Sequence, residues 1–172
     1  PLGYGNITGA SGTNDIRTTL NYGTDSNNKR PTNYFRQTFN LDNDPTDEEV
    51  IELEYYVDDG CIIYVNGTEL TRYLMPEGKI TYSQYATTYV GNVAYNDKIT
   101  IPNSMLHAGA NTIAVEIHNN SGTSSDSYWT ASITKGEIGT PEASDDFNFD
   151  ALAANSHYDI VACYGPIADD SI

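Results

Sequence analysis

The sequence predicts an all-β protein built as an antiparallel β-sandwich. Two stretches carry the prediction. In residues 51–70, IELEYYVDDGCIIYVNGTEL, and in residues 111–119, NTIAVEIHN, apolar and polar side chains alternate or run as short apolar blocks, the pattern of strands with a buried face. The third observation is what lies between such stretches: Gly, Asn, Asp and Pro clusters at short intervals, with no long amphipathic helix and no repeat.

Taken in order, residues 1–32 are rich in Gly, Asn and Thr and read as loops with short strands. Residues 33–41, NYFRQTFNL, form the first clear strand, with Phe35, Gln37, Phe39 and Leu41 on one face and Tyr34, Arg36 and Thr38 on the other. A polar acidic connection, residues 43–49, leads to the strand in which Ile51, Leu53, Tyr55 and Val57 alternate with Glu52, Glu54, Tyr56 and Asp58. Asp58-Asp59-Gly60 predicts a tight turn, because glycine tolerates positive φ and Asp bonds the local backbone. Residues 61–65 are apolar on both faces and suit a sheet interior. Asn66-Gly67 predicts a hairpin, since a type I′ turn needs positive φ at both central residues. Residues 71–79, with Pro76 and Gly78, read as a turn. Residues 80–90, ITYSQYATTYV, are β-prone and rich in Tyr. A short strand at 98–101 ends at Pro102. Residues 106–111 turn into the strand that places Ile113, Val115 and Ile117 on one face and Ala114, Glu116 and His118 on the other. Residues 121–127 form a polar loop, and residues 128–134, YWTASIT, close the β pattern. On composition, residues 135–146 read as a linker. Residues 147–172 read either as an extra strand pair on the same domain or as the start of a following module.

The 172 residues suffice for one domain of roughly 130 to 140 residues plus an appendage, or for one large sandwich. Twenty-four acidic residues against eight basic ones give a formal charge of −16. That argues against nucleic acid and anionic membrane as partners, where Lys and Arg must neutralise phosphate. Clustered carboxylates on an acidic protein serve either solvation or calcium binding. With 14 Tyr, few cations and much Asn, Thr, Ser and Gly, the composition suits a secreted or cell-surface β protein, expected as a monomer. No signal peptide and no apolar run of membrane length is present. The opening Pro1-Leu2-Gly3 lacks Met and reads as an excised fragment, with a removed export signal left open. Cys61 and Cys163 leave two readings, a disulfide closing a long loop or two buried, inert thiols.

Several motifs recur in an order that resembles one family. They are YFRQTF at 34–39, VDDGCIIYVNGTEL at 57–70, Arg72, MPEG at 75–78, AGANTIAVEIHN at 108–119 and SSDS at 124–127, preceded by PLGYG. Together they resemble the galactose-binding-like jelly-roll module of large secreted bacterial proteins, over roughly residues 1–134. The family usually carries Gln after the histidine, where Asn119-Asn120 stand here, and a small residue at the position of Cys61. The resemblance implies a jelly roll similar to carbohydrate-binding modules and to the sugar-binding domains of glycosidases. Such modules are attached to glycosidases, phosphoesterases and surface proteins alike, so the fold leaves the function to be argued from the site.

Three constellations could carry chemistry. Asp58 and Asp59 are adjacent carboxylates at a predicted turn. With Asp126, and with Asn66 or backbone carbonyls, they could hold structural calcium, which needs roughly six to eight oxygens. The alternative is turn capping with an ion pair to Arg36 or Arg72. Glu116 and His118 share one strand face and, with Asp126 as a third member, could bind a metal or do acid–base work. Otherwise they form a hydrogen-bonded tie between strands. Tyr82, Tyr85, Tyr89 and Tyr95 fall in one region, and with Trp129, the single Trp, they form a candidate carbohydrate platform. The alternative puts Trp129 in the core, since it shares parity with Ala131 and Ile133. His107 and His157 have no ligand spacing around them.

No G-x-S-x-G, P-loop, H-E-x-x-H or C-x-x-C motif is present. The resemblance, with the tyrosine-rich region, implies as the expected function a non-catalytic carbohydrate-binding module of a secreted multimodular bacterial protein, its partners a polysaccharide or glycan and the adjacent domains of its own polypeptide. The alternatives are a structural or spacer module packing on a neighbouring domain, and a metal-assisted hydrolase using Glu116, His118 and an Asp.

Overall fold

The computed structural model describes residues 1–137 and 145–148. The described residues form ten strands: β1 (Leu2–Tyr4), β2 (Thr18–Thr19), β3 (Thr32–Leu41), β4 (Glu49–Asp58), β5 (Gly60–Val65), β6 (Thr68–Tyr73), β7 (Tyr95–Ile101), β8 (Gly109–His118), β9 (Ser127–Glu137) and β10 (Asp145–Asn148). One 3-10 turn, Asn103–Met105, is the only helical element among them. None of these residues forms a helix long and apolar enough to cross a membrane.

The strands build two facing sheets. The larger runs β2-β1-β9-β4-β7, with β10 also paired to β9; the smaller runs β3-β8-β5-β6. All pairings are antiparallel except β1 with β2. From β3 onward the chain passes repeatedly between the layers, giving the all-β sandwich expected from the sequence. The period-two faces meet between the sheets. Ile51, Leu53, Tyr55 and Val57 of β4 pack with Cys61, Ile63 and Val65 of β5, with Ile113, Val115 and Ile117 of β8, and with Ala131 and Ile133 of β9. Each Ile, Leu or Val among them contributes about 1.5–3 kcal/mol by leaving water. Asn66 (φ 49°) and Gly67 (φ 83°) make the β5–β6 turn in the left-handed conformation the sequence predicts.

The structure departs from the sequence expectations at four places. Asp58-Asp59-Gly60 joins β4 of the large sheet to β5 of the small one, so it is an arch between layers and not a hairpin turn. The Asp58–Asp59 peptide is cis, and Gly60 does not have positive φ. Gly60 is needed for space: a Cβ there would lie 2.9 Å from both the Met75 sulfur and the Ala86 Cβ. Second, β6 extends through Tyr73, so the turn expected over 71–79 starts at Leu74 (φ 53°).

Third, residues 80–90 are not a strand. They belong to a strap that lies over the outer face of the small sheet. Met75 and Ala86 pack there on Ile62, with Leu74 and Ile80 beside them. The strap's amides bond Asn119 O (from Ala86) and Leu74 O (from Thr87) instead of a strand ladder. An outward Ile62 needs an apolar cover, and that burial outweighs the segment's β propensity. Fourth, β9 runs through Glu137, so the first residues of the expected linker are strand, and Asp145–Asn148 pairs back on β9. Cys163, His157 and the rest of the C-terminal extension lie outside the described residues; Cys61 is buried in the core. On the far side of the molecule, Ile7 and Ala94 cover Tyr128 on the outer face of the large sheet.

Candidate functional site

The strap leaves part of the small sheet's outer face open, and register decides what stands there. Arg36 on β3, Ala114 on β8 and Tyr64 on β5 form one row; Tyr34, Glu116 and Ile62 form the next. Ala114 offers only a methyl group between two long side chains, so the face dips. The result is a cavity of about 190 Å³ lined by Tyr34, Arg36, Tyr64, Ala114 and Glu116, with Phe35 and Val115.

The polar groups in the hollow are held in place. The Tyr64 hydroxyl donates to Glu116 Oε1 at 2.6 Å. Glu116 Oε2 lies 3.3 Å from His118 Nε2, outside hydrogen-bond geometry. His118 is fully buried. Its Nδ1 lies 2.7 Å from the Gln84 carbonyl oxygen and 3.0 Å from Thr32 Oγ1, which itself donates to Tyr82 O at 2.6 Å. A carbonyl only accepts, so Nδ1 carries a proton. Burial first, then Glu116 and Tyr82, push the Tyr34 hydroxyl up to about 12. Tyr82 is 39% exposed on the strap. Tyrosine faces, a fixed carboxylate acceptor and the exposed Arg36 donor thus share one shallow surface.

Of the aromatic residues expected to meet a ligand, none lines this hollow. Tyr89 is 69% exposed elsewhere on the strap. Tyr85 is half-buried, its hydroxyl 3.1 Å from where a Cβ on Gly122 would stand. Trp129 and Tyr95 correct the expectation. Trp129 is 6% exposed and stacks on Tyr55 with ring centroids 5.8 Å apart, inside the core as its strand parity indicates. Tyr95, the first residue of β7, stacks face to face on Tyr73 at 3.6 Å and packs against the same core. Tyr34, Tyr64 and Arg36 were not singled out from the sequence as ligand contacts. The alternation that sends Phe35 inward sends Tyr34 and Arg36 outward, which was the available signal.

The acidic residues gather at the arch. Asp58 and Asp59 are each 1% exposed and Asp126 is 8% exposed. Asp59 is fully engaged: Oδ1 accepts from Val90 N at 2.7 Å and Oδ2 from Asn120 N at 2.8 Å. Asp126 Oδ1 accepts from Ser125 Oγ at 2.9 Å. Neither carboxylate oxygen of Asp58 has a hydrogen-bond partner. Burial, then Asp59 and Asp126, push the Asp58 carboxyl up to about 8. Arg72 instead pairs with Glu69 at 2.7 Å, and Arg36 lines the hollow. Asp126 thus stands with Asp58 and Asp59, and Tyr64 is the partner that bonds Glu116. Among the described residues, no group of three or more His, Cys, Asp or Glu side chains is arranged to hold a metal ion.

No family model matches the chain, and no curated protein matches it. Solved structures with partial likeness include the α-L-rhamnosidase of Streptomyces avermitilis complexed with L-rhamnose (20% identity, TM-score 0.45, 66% of this chain and 9% of that one). They also include the α-L-rhamnosidase of Aspergillus terreus (13% identity, TM-score 0.44, 74% and 14%) and the PA14 domain of the antifreeze protein MpAFP (13% identity, TM-score 0.33, 67% and 47%). The chain thus spans a small share of the two rhamnosidases it resembles, and under half of the PA14 chain.

Proposed function

We propose that this chain is a non-catalytic carbohydrate-binding module of a secreted multimodular protein, and that it binds one or two sugar units of a polysaccharide in the hollow over Ala114. The observation that carries the reading is the lining: Tyr34 and Tyr64 flank a floor one methyl deep, with Glu116 and Arg36 at its edges. Tyrosine faces pack on the C–H faces of a pyranose, while a carboxylate and a guanidinium fix its hydroxyls. The lining holds one carboxylate, whereas hydrolysis by paired acids uses two, and His118 is sealed beneath the strap where no substrate reaches it. Those features support binding over hydrolysis.

Affinity electrophoresis and isothermal titration against a panel of soluble polysaccharides test this reading. Retardation by at least one polymer, weakened tenfold or more by Tyr34→Ala, is expected. No binding across the panel, or binding unaffected by that substitution, refutes it; a packing surface for a neighbouring domain would then be the better account.

A further inference from the structure

The charge of this chain is unevenly spread, and the hollow lies where it is balanced. The whole chain has 24 acidic residues against eight basic ones. The three strands under the hollow, β3, β8 and β5, carry a single carboxylate, Glu116, and a single guanidinium, Arg36. From residue 80 to residue 96, along most of the strap, no side chain is charged. Glu52 and Glu54 alternate with the inward Ile51 and Leu53 of β4, so they stand on the outer face of the opposite sheet. An anion entering the hollow meets Glu116 as the one acid of its lining, and charges beyond about 8 Å are largely screened at physiological salt.

Glu116 and Arg36 differ in what already holds them. Glu116 Oε1 accepts the Tyr64 hydroxyl at 2.6 Å. A carboxylate has about four acceptor sites, so Glu116 still takes a hydroxyl from a ligand. Arg36 is exposed and, among the described residues, its side chain has no ion pair and no hydrogen bond. Arg72, Lys98 and Lys135 are matched by Glu69, Glu52 and Glu49. In a chain with 24 carboxylates to eight cations, an arginine left without one beside two tyrosines is placed for an anion from outside.

Register sets the spacing. Arg36 pairs with Ala114, and Tyr34 with Glu116. Arg36 and Glu116 are therefore diagonal neighbours on adjacent strands, about 7–8 Å apart in an antiparallel pair. One pyranose with its substituents bridges that gap. A hexuronate carries its carboxylate on C5 and hydroxyls on the opposite edge of the ring. The guanidinium fork donates two parallel N–H bonds to a carboxylate, a match that a hydroxymethyl group cannot offer. Taking the hollow as the sugar site already proposed, we propose that the sugar it takes is a hexuronate, its carboxylate held by Arg36 and its far hydroxyls donating to Glu116. The reversed orientation sets carboxylate against carboxylate, so the two side chains also fix the direction of the bound ring.

The test sets polygalacturonate, alginate and a polyglucuronate each beside its carboxyl-reduced form, which keeps the ring and replaces the carboxylate with a hydroxymethyl group. Affinity electrophoresis and isothermal titration of the full chain at physiological ionic strength read the difference. At least one polyuronate is expected to bind about tenfold or more tighter than its reduced form, because a bidentate charged contact is lost on reduction. Arg36→Gln is expected to remove that preference and to melt with the wild type, since the guanidinium has no partner in the protein to lose. Equal affinity for both forms of every polymer overturns the proposal, as does a preference that survives Arg36→Gln. Binding confined to neutral polysaccharides, or to a sulfated galactan and no polyuronate, also overturns it and leaves the sugar site standing. No binding to any polymer removes the sugar site itself, and the hexuronate with it.

Discussion

The Tyr64 hydroxyl donates to Glu116 Oε1 at 2.6 Å from strand β5 to strand β8. The bond fixes the one carboxylate of the hollow and ties the Tyr64 side chain to it. A hydrogen bond to a charged acceptor contributes about 1.5–3 kcal/mol when buried, and less where water reaches it. Glu116 keeps some exposure, so Tyr64→Phe is expected to cost about 1 kcal/mol of stability, read as a lower urea midpoint with an unchanged slope. Binding to the polysaccharide selected from the panel is expected to weaken more than that small loss explains, because the ring and the carboxylate both lose their fixed positions. A variant with wild-type affinity would separate Tyr64 from the ligand surface.

Gly60 sits where the arch enters β5, under Met75 and Ala86 of the strap. Its φ is ordinary, so the demand on this residue is for room and not for a left-handed backbone. Gly60→Ala forces contacts shorter than van der Waals distance against the Ala86 methyl, which is not the end of a flexible side chain. Overpacking of this kind costs about 1–3 kcal/mol. The expected result is a lower urea midpoint together with faster amide exchange at Ala86 and Thr87, whose hydrogen bonds hold the strap to Asn119 and Leu74. A stable variant with unchanged exchange would show that the strap yields without loss.

Much of the sandwich was legible in the chain because its signals are local. Ile51, Leu53, Tyr55 and Val57 announce their buried face by parity alone, and Trp129 announces its place through Ala131 and Ile133. Asn66-Gly67 demands its turn type by sterics. What was not legible depends on partners remote in sequence. An Asp-Asp-Gly hairpin and an Asp-Asp-Gly arch look alike until β4 and β5 are known to belong to different sheets. Residues 80–90 have strand composition, but the need to cover Ile62 arises only once β5 lies in the interior of its sheet. The hollow is a register effect: Arg36, Ala114 and Tyr64 come into one row only when β3, β8 and β5 pair as they do.

Asn66 contributes more than a turn conformation. Its Nδ2 donates to Met105 O at 2.9 Å and to Asn111 Oδ1 at 2.8 Å, and its Oδ1 accepts from Thr112 N at 2.8 Å. Two substitutions separate the backbone from the side-chain part. Asn66→Gly keeps the left-handed conformation at no steric cost and loses only these bonds, for about 1–2 kcal/mol. Asn66→Ala loses the same bonds and adds left-handed strain of about 1 kcal/mol. Denaturant titration should therefore rank wild type above Gly and Gly above Ala. Equal stability of the two variants would show that the φ of this residue costs nothing.

Alkaline pH should unfold this protein through its tyrosines. Burial, with Glu116 and Tyr82 adding to it, raises Tyr34 from its ordinary value near 10 to about 12, and burial also raises Tyr4, Tyr55, Tyr64 and Tyr128. In the unfolded chain these hydroxyls release their protons near 10, while the folded chain still holds them. Above that point the unfolded state binds fewer protons, so stability falls as pH rises. The contribution of Tyr34 is fully present below pH 10 and is lost between about 10 and 12. Urea midpoints measured at pH 9, 10 and 11 should be level over the first step and drop over the second, and Tyr34→Phe should flatten part of that drop. In a spectrophotometric titration, a share of the phenolate absorbance should appear only together with the loss of near-ultraviolet dichroism. A single tyrosine transition near pH 10 with the fold intact would show that these hydroxyls reach water in the native state.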